Sequence, residues 1–153
     1  MPRSIATNTT VDRDGLTSFL RPRHRMVLLT PRADGSWQGS PVTAGADAEG
    51  RIVVSTYPQR AKAANVARHG RASAVVLSDD FDGPWVQVDG DAELLTLPEA
   101  LDPLVEYFRS ISGEHPDWAE YREAMARQGK ALIRITPTRW GPVATGGFPA
   151  HLA

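Results

Sequence analysis

The sequence contains no cysteine. That excludes a disulfide framework, a thiolate nucleophile and a cysteine-ligated zinc site. No apolar run approaches the roughly 18–20 residues that a membrane-spanning helix needs. The opening Met1-Pro2-Arg3-Ser4 leads into a polar, threonine-rich stretch without an apolar core. No signal peptide is therefore expected, and the expected location is cytoplasmic, away from any membrane. An excess of one charge is lacking too. Seventeen basic residues against eighteen acidic ones leave a net charge of −1, which argues against a nucleic-acid partner. Lysine is scarce: Lys62 and Lys130 stand beside fifteen arginines. The four histidines, His24, His69, His115 and His151, lie far apart, and no pair has helical metal-ligand spacing. No metal is expected. No G-x-S-x-G, P-loop or G-x-G-x-x-G occurs, so nucleophile elbows and the two commonest phosphate loops are absent.

What is present amounts to about one domain, with 41% hydrophobic and 23% charged residues in 153. The expected division is a loose leader at 1–10, a single domain at 11–145 and a tail at 146–153. A short helix is expected from Val11 to Leu20, then a strand over Met26–Thr30. Asp34-Gly35 reads as a hairpin turn into a return strand from Trp37 to Gly45. Arg51–Tyr57 is a third strand, rich in β-branched and aromatic residues. Pro58 ends it, and a helix follows over Ala61–His69 with Gly70 behind it. Ala72–Leu77 and Trp85–Leu95 read as strands, with Gly90 marking a bulge or a close approach. Thr96 and Glu99 have capping-box spacing ahead of a helix whose Leu101, Leu104, Val105 and Phe108 form one apolar face. Asp117 and Glu120 have the same spacing ahead of a helix with Trp118, Tyr121 and Met125. Lys130–Thr136 is a last strand, which Pro137 is expected to stop. Five strands before the main helices, joined by short turns, favour a mainly β, α+β fold: an antiparallel barrel plus helices.

Two segments invite a chemical reading. Asp79, Asp80 and Asp82 resemble the start of a calcium loop, but no bidentate acid follows at the right distance; the alternative is a solvated acidic turn. The other segment is Ser55-Thr56-Tyr57-Pro58-Gln59-Arg60-Ala61-Lys62-Ala63-Ala64-Asn65. Arg60 and Lys62 sit in the first turn of a helix, where the dipole disfavours a cation by roughly 0.3–1 kcal/mol. An anion held by the free N–H groups, the two cations and the hydroxyls would reverse that penalty. The alternative is a pair of solvated basic residues.

A strand, Ser-Thr, then Arg-x-Lys-x-x-Asn opening a short helix resembles the pyridoxamine 5′-phosphate oxidase-like split β-barrel superfamily. The resemblance runs on through Arg71–Leu77 and Trp85–Leu94. The segment Gly113-Glu114-His115-Pro116-Asp117-Trp118, with Tyr121 and Ala124-Met125, is similar to the actinobacterial branch of FDOR-B type that uses the deazaflavin coenzyme F420. The resemblance implies an FMN-binding, PNPOx-like split barrel, a homodimer with each cofactor in a groove between subunits, and hydride transfer to a small electron-poor acceptor. It implies that Arg60 and Lys62 hold the cofactor phosphate with Ser55, Thr56 and Asn65. It places the strand carrying Gln38, Ser40, Pro41 and Val42 along the deazaflavin ring, and Trp85 either near the ring or in the core. No catalytic side chain is required; Tyr57 and solvent are the candidate proton sources. The cluster Arg21, Arg23, His24 and Arg25 either attracts the cofactor's anionic tail or forms a solvated loop. Two rivals keep the fold: an FMN enzyme, and a non-enzymatic barrel that binds haem or another tetrapyrrole.

Overall fold

A computed structural model of the chain describes residues 4–152. The expected α+β split barrel forms. Among the described residues, seven strands make one curled antiparallel sheet. In chain order they are β2 (Arg25–Pro31), β3 (Trp37–Thr43), β4 (Gly45–Ala46), β5 (Ile52–Thr56), β6 (Arg71–Val76), β7 (Val86–Leu95) and β8 (Ala131–Trp140). Their order across the sheet is β3-β2-β6-β7-β8-β5-β4. β1 (Thr7–Thr9) pairs with β9 (Val143–Thr145) in a separate ribbon. Part of the segment expected to be a loose leader is thus a strand.

β3 and β4 follow one another in the chain yet lie at opposite ends of the sheet. The single return strand expected over Trp37–Gly45 is therefore two, broken at the fully buried Ala44. Ala44 is clamped: its N–H donates to the His24 carbonyl, and its carbonyl lies 2.9 Å from His24 Nδ1. The Tyr107 hydroxyl donates to the neighbouring Thr43 carbonyl at 2.8 Å. Transfer of the chain here curls the sheet around Met26, Leu28, Ile52, Val54, Val76, Val88, Ile133 and Ile135, with Leu16 and Leu20 of α1 (Arg13–Leu20) against them. Asp12 caps α1, accepting from the Gly15 N–H at 2.8 Å.

The other face of β5 and β8 presents Val53 and Leu132 to α3 (Leu101–Ser112) and α4 (Trp118–Gln128). Leu104 and Val105 are buried there, with Phe108 packed behind them. The apolar face of α3 is therefore covered within the chain and calls for no second subunit. Asp117 caps α4 as expected, accepting from the Glu120 N–H at 3.1 Å. The box expected at Thr96 and Glu99 does not form. α3 starts at Leu101 after a turn, and its N-cap is Ala100, with no side-chain cap. Pro98 disfavours the helical conformation at Leu97, so the helix cannot open where the box would sit.

β8 also departs from expectation, because it runs through Pro137 to Trp140. The register with β7 shifts there: Gly90 faces Pro137 while Asp89 faces Arg139. The β5 ladder has already ended at Ile52 opposite Ile135. The missing proline N–H falls where pairing is interrupted, as sheets tolerate. Gly90 marks a close approach beside this irregularity, whose extra residue is Thr138 on β8; a Cβ at Gly90 would collide with the Thr136 carbonyl and the Ile135 side chain. Gly90→Ala is expected to cost about 1–3 kcal/mol by overpacking. Urea denaturation checks this; an unchanged midpoint would show that the ladder can yield.

Candidate functional site

The site is built where β5 hands over to α2 (Ala61–His69). Pro58 stops the strand, and Arg60 occupies the N-cap in an extended conformation without a side-chain cap. The first turn contains no acidic residue, whereas the last contains Arg68 and His69. The C-terminal cations suit the helix dipole; Arg60 and Lys62 oppose it. Gly70 closes α2 in the left-handed conformation at φ 68, and its carbonyl accepts from Ala92 N–H of β7 at 2.9 Å. Val66 enters the barrel core, so α2 plugs one end of the barrel.

A buried polar chain ties that plug to the sheet. Asn65 donates to the Thr30 hydroxyl at 3.1 Å, and Thr30 donates to Gln38 Oε1 at 3.3 Å. Arg68 donates to Asn65 Oδ1 at 3.0 Å. Two buried hydroxyls have no such partner: Ser40 Oγ and Thr56 Oγ1. Thr56 is only 4% exposed. A buried donor left unsatisfied costs about 1–3 kcal/mol, and both atoms belong to residues that the resemblance assigns to the cofactor. The charges are unbalanced just beyond Thr56, at the start of α2. Among the described residues, six arginines have carboxylate partners: Arg25, Arg51, Arg109, Arg122, Arg134 and Arg139. Arg60 and Lys62 have none. Burial, and then the Arg60 charge, push the Lys62 pKa down. Uncapped N–H groups, two cations without carboxylate partners and the unsatisfied Thr56 hydroxyl are groups whose chemistry suits an anion.

The alternation of the strands sorts the candidates by face. Gln38, Ser40 and Val42 lie opposite Thr30, Leu28 and Met26, on the barrel's inner face. Thr56 follows Ile52 and Val54 onto that face. Pro41 lies opposite Val27 on the outer face. Ser55, beside Val53, faces away from Thr56. Tyr57 continues the Ser55 side; Arg60 stands 5.8 Å and Lys130 4.2 Å from its ring centre. Trp85 is not with the others. It sits at the opposite end of β7 from α2, 40% exposed, and not in the core. It lines a 660 Å³ cavity with Val75, Leu77 and Phe81.

The basic cluster is largely committed elsewhere. Arg23 lies over the Phe19 ring at 3.7 Å and donates to the Phe19 carbonyl and Ser78. Arg25 pairs with Asp79, and His24 holds Ala44. Asp80 accepts from the Asp82 N–H at 3.0 Å, so the acidic turn is held by its own hydrogen bonds and Arg25. Sequence reasoning missed Thr30, Arg68 and Lys130. Thr30 was legible as the one hydroxyl at the end of the apolar run Met26–Leu29, and Lys130 as the second of only two lysines.

The model for the family described as pyridoxamine 5′-phosphate oxidase matches residues 9–144. The chain belongs to that family. Solved structures share the fold of this pyridoxamine 5′-phosphate oxidase relative. A conserved hypothetical protein of Mycobacterium tuberculosis is 21% identical, with a TM-score of 0.73 over 94% of this chain and 89% of that one. An F420 reductase is 18% identical, with a TM-score of 0.60 over 81% and 94%. A heme binding protein from Mycobacterium smegmatis is 17% identical, with a TM-score of 0.64 over 88% and 55%.

If the two orphaned hydroxyls await a ligand, they burden the free protein. Thr56→Val and Ser40→Ala are each expected to raise apo stability, by about 1 kcal/mol, and to weaken cofactor binding. Thermal melts with and without cofactor check the opposed signs. Loss of apo stability in both variants would mean that the hydroxyls already serve the fold.

Proposed function

We propose that the protein is an F420-dependent oxidoreductase acting on a small electron-poor organic acceptor. The observation that carries this reading is the coincidence, where β5 hands over to α2, of a buried hydroxyl without a partner, Thr56 Oγ1, and two cations without carboxylate partners. Arg60 and Lys62 hold the cofactor phosphate at the start of α2, Arg60 as a planar fork and Lys62 as a point charge. Asn65, fixed by Thr30 and Arg68, keeps α2 in place. The inner-face residues Gln38, Ser40 and Val42 and the outer-face Pro41 place β3 beside the ring system. When bound, the cofactor supplies hydride transfer; the chain contributes binding, orientation and exclusion of water. No protein nucleophile is needed. The F420 reductase with the same fold supports this choice, as does the Gly113–Met125 segment.

The active form is a homodimer. The outer face of β3, β2, β6 and β7 carries half-buried Val27, Leu29, Val75 and Leu77 between exposed Trp37, Phe81 and Trp85. Such an apolar face marks an interface, and a second copy covers it. Between Trp85 and Ala92, which docks α2, lie about 24 Å of strand at ~3.4 Å per residue. Trp85 of one subunit therefore serves the cofactor whose phosphate its partner holds. Light scattering at micromolar concentration is expected to give the mass of two chains; the mass of one would contradict the shared site.

Calorimetric titration of the apo protein with F420 and FMN tests the cofactor. Saturable, tighter binding of F420 is expected; FMN binding more tightly would replace F420 by the flavin. Removing one charge-assisted hydrogen bond costs roughly 1.5–3 kcal/mol, or about ten- to a hundredfold in Kd. Lys62→Ala is expected to lose that much and Arg60→Ala at least as much. Apo melting temperatures should hold or rise, because a cation leaves the positive helix end. Intact binding in both variants would overturn the phosphate site.

A further inference from the structure

Lys130 lies between α4 and β8, immediately before the first residue of β8. Thr56 faces Ala131 in the β5–β8 ladder, so the next residues outward, Tyr57 and Lys130, meet across the two strands. The Lys130 ammonium lies 4.2 Å from the centre of the Tyr57 ring. The Arg60 guanidinium lies 5.8 Å from the same ring. Two cations thus share one aromatic ring, with Lys62 one helical step away, and none of the three has a carboxylate partner among the described residues. Elsewhere six arginines, Arg25, Arg51, Arg109, Arg122, Arg134 and Arg139, have carboxylate partners. Like charges held this close repel unless an anion lies between them. The ring's quadrupole attracts each cation, yet does not supply the missing negative charge.

We infer that Lys130 is a third cation of the anion site, and that Tyr57 is a positioning residue whose ring seats Lys130 and Arg60 toward a phosphate-bearing ligand. This rests on the phosphate site proposed above and adds a strand-borne residue to a helix-borne pair. The physical gain is geometric. Arg60 and Lys62 are both carried by the start of α2, whereas Lys130 approaches from the β5–β8 edge. A phosphate group is then gripped from two elements at once, which fixes its position as well as its charge. Tyr57 acts through its ring face, so its hydroxyl is dispensable for binding. This differs from its candidate role as a proton source, which needs the hydroxyl.

The test uses calorimetric titrations of the full chain with F420 and FMN, and competition by inorganic phosphate, for Lys130→Met, Lys130→Gln, Tyr57→Phe, Tyr57→Leu and Arg60→Ala. Both Lys130 variants are expected to weaken the tighter cofactor about tenfold, as loss of one charged contact predicts. They should also flatten the salt dependence of Kd and leave the apo melting temperature within a degree or two (an order-of-magnitude expectation for a surface site). Tyr57→Phe should bind within about twofold of the parent, while Tyr57→Leu falls about as far as Lys130→Met. The Tyr57→Leu/Lys130→Met double variant should lose less than the sum of the two, because both report one contact. Unchanged affinity and salt slope in both Lys130 variants, with Arg60→Ala weakened, would overturn the inference and leave the two-cation site standing. Loss of binding in Tyr57→Phe equal to that in Tyr57→Leu would overturn the positioning role. Unchanged binding in Arg60→Ala as well, or no binding of any phosphate-bearing probe by the parent, would overturn the phosphate site itself and this inference with it.

Discussion

The chain passes directly from one edge of the sheet, β3, to the other, β4, and that passage draws the two edges together into a barrel. Here that transfer takes place at Ala44, fully buried between β3 and β4. Two hydrogen bonds with His24 and one from Tyr107 to Thr43 hold it. Everything that follows depends on that closure. It turns Met26, Leu28 and Thr30 inward, and it sets Ser40 and Gln38 opposite them. It also creates an open barrel end that α2 must plug. Because α2 enters after a strand stopped by Pro58, its N-terminus arrives uncapped beside Thr56. The candidate site is a consequence of how the barrel closes.

The charge arrangement points the same way. Several buried or structured ions elsewhere are satisfied locally. Asp47 is 4% exposed yet accepts from two backbone N–H groups and the Arg51 side chain. The α3–α4 junction links Arg109, Glu114 and Trp118 in one chain, and hydrogen bonds from Trp118 and Arg109 hold the Glu114 carboxyl below its usual pKa. Around α2's first turn, Arg60 and Lys62 have no carboxylate partner among the described residues, and Thr56 Oγ1 has no hydrogen-bond partner. Buried polar atoms without partners are uncommon in folded proteins, and each calls for an explanation. The proposed phosphate-bearing cofactor would give the orphaned hydroxyls and the unpaired cations partners together.

Much of this was legible in the sequence. The Asp34-Gly35 turn, the Gly70 helix stop, the close approach at Gly90 and the Asp117 cap depend on local chemistry, and the residues announce them. The errors arise where tertiary context decides. Pro137 is a strand breaker in isolation, but it lies in a stretch of β8 where the ladder is already irregular. Thr96 and Glu99 have the spacing of a cap, but Pro98 between them delays the helix. The apolar stripe of α3 was legible, but not that β5 and β8 cover it within the chain. For the site, the Arg-x-Lys-x-x-Asn spacing identified the helix start. It could not show that Ser55 and Thr56 face opposite ways, or that Trp85 lies at the far end of β7. Alternation along a strand is readable from sequence, but which face meets the ligand depends on how the sheet curls.

The most direct test of the account is a crystal structure of the protein with F420 bound. The account predicts the cofactor phosphate between the Arg60 guanidinium, the Lys62 ammonium and the free N–H groups that open α2. It also predicts hydrogen bonds to Thr56 Oγ1 and Ser40 Oγ, and Trp85 of the second subunit at the ring. A phosphate bound elsewhere, with Arg60 and Lys62 in solvent and both hydroxyls still without partners, would contradict it.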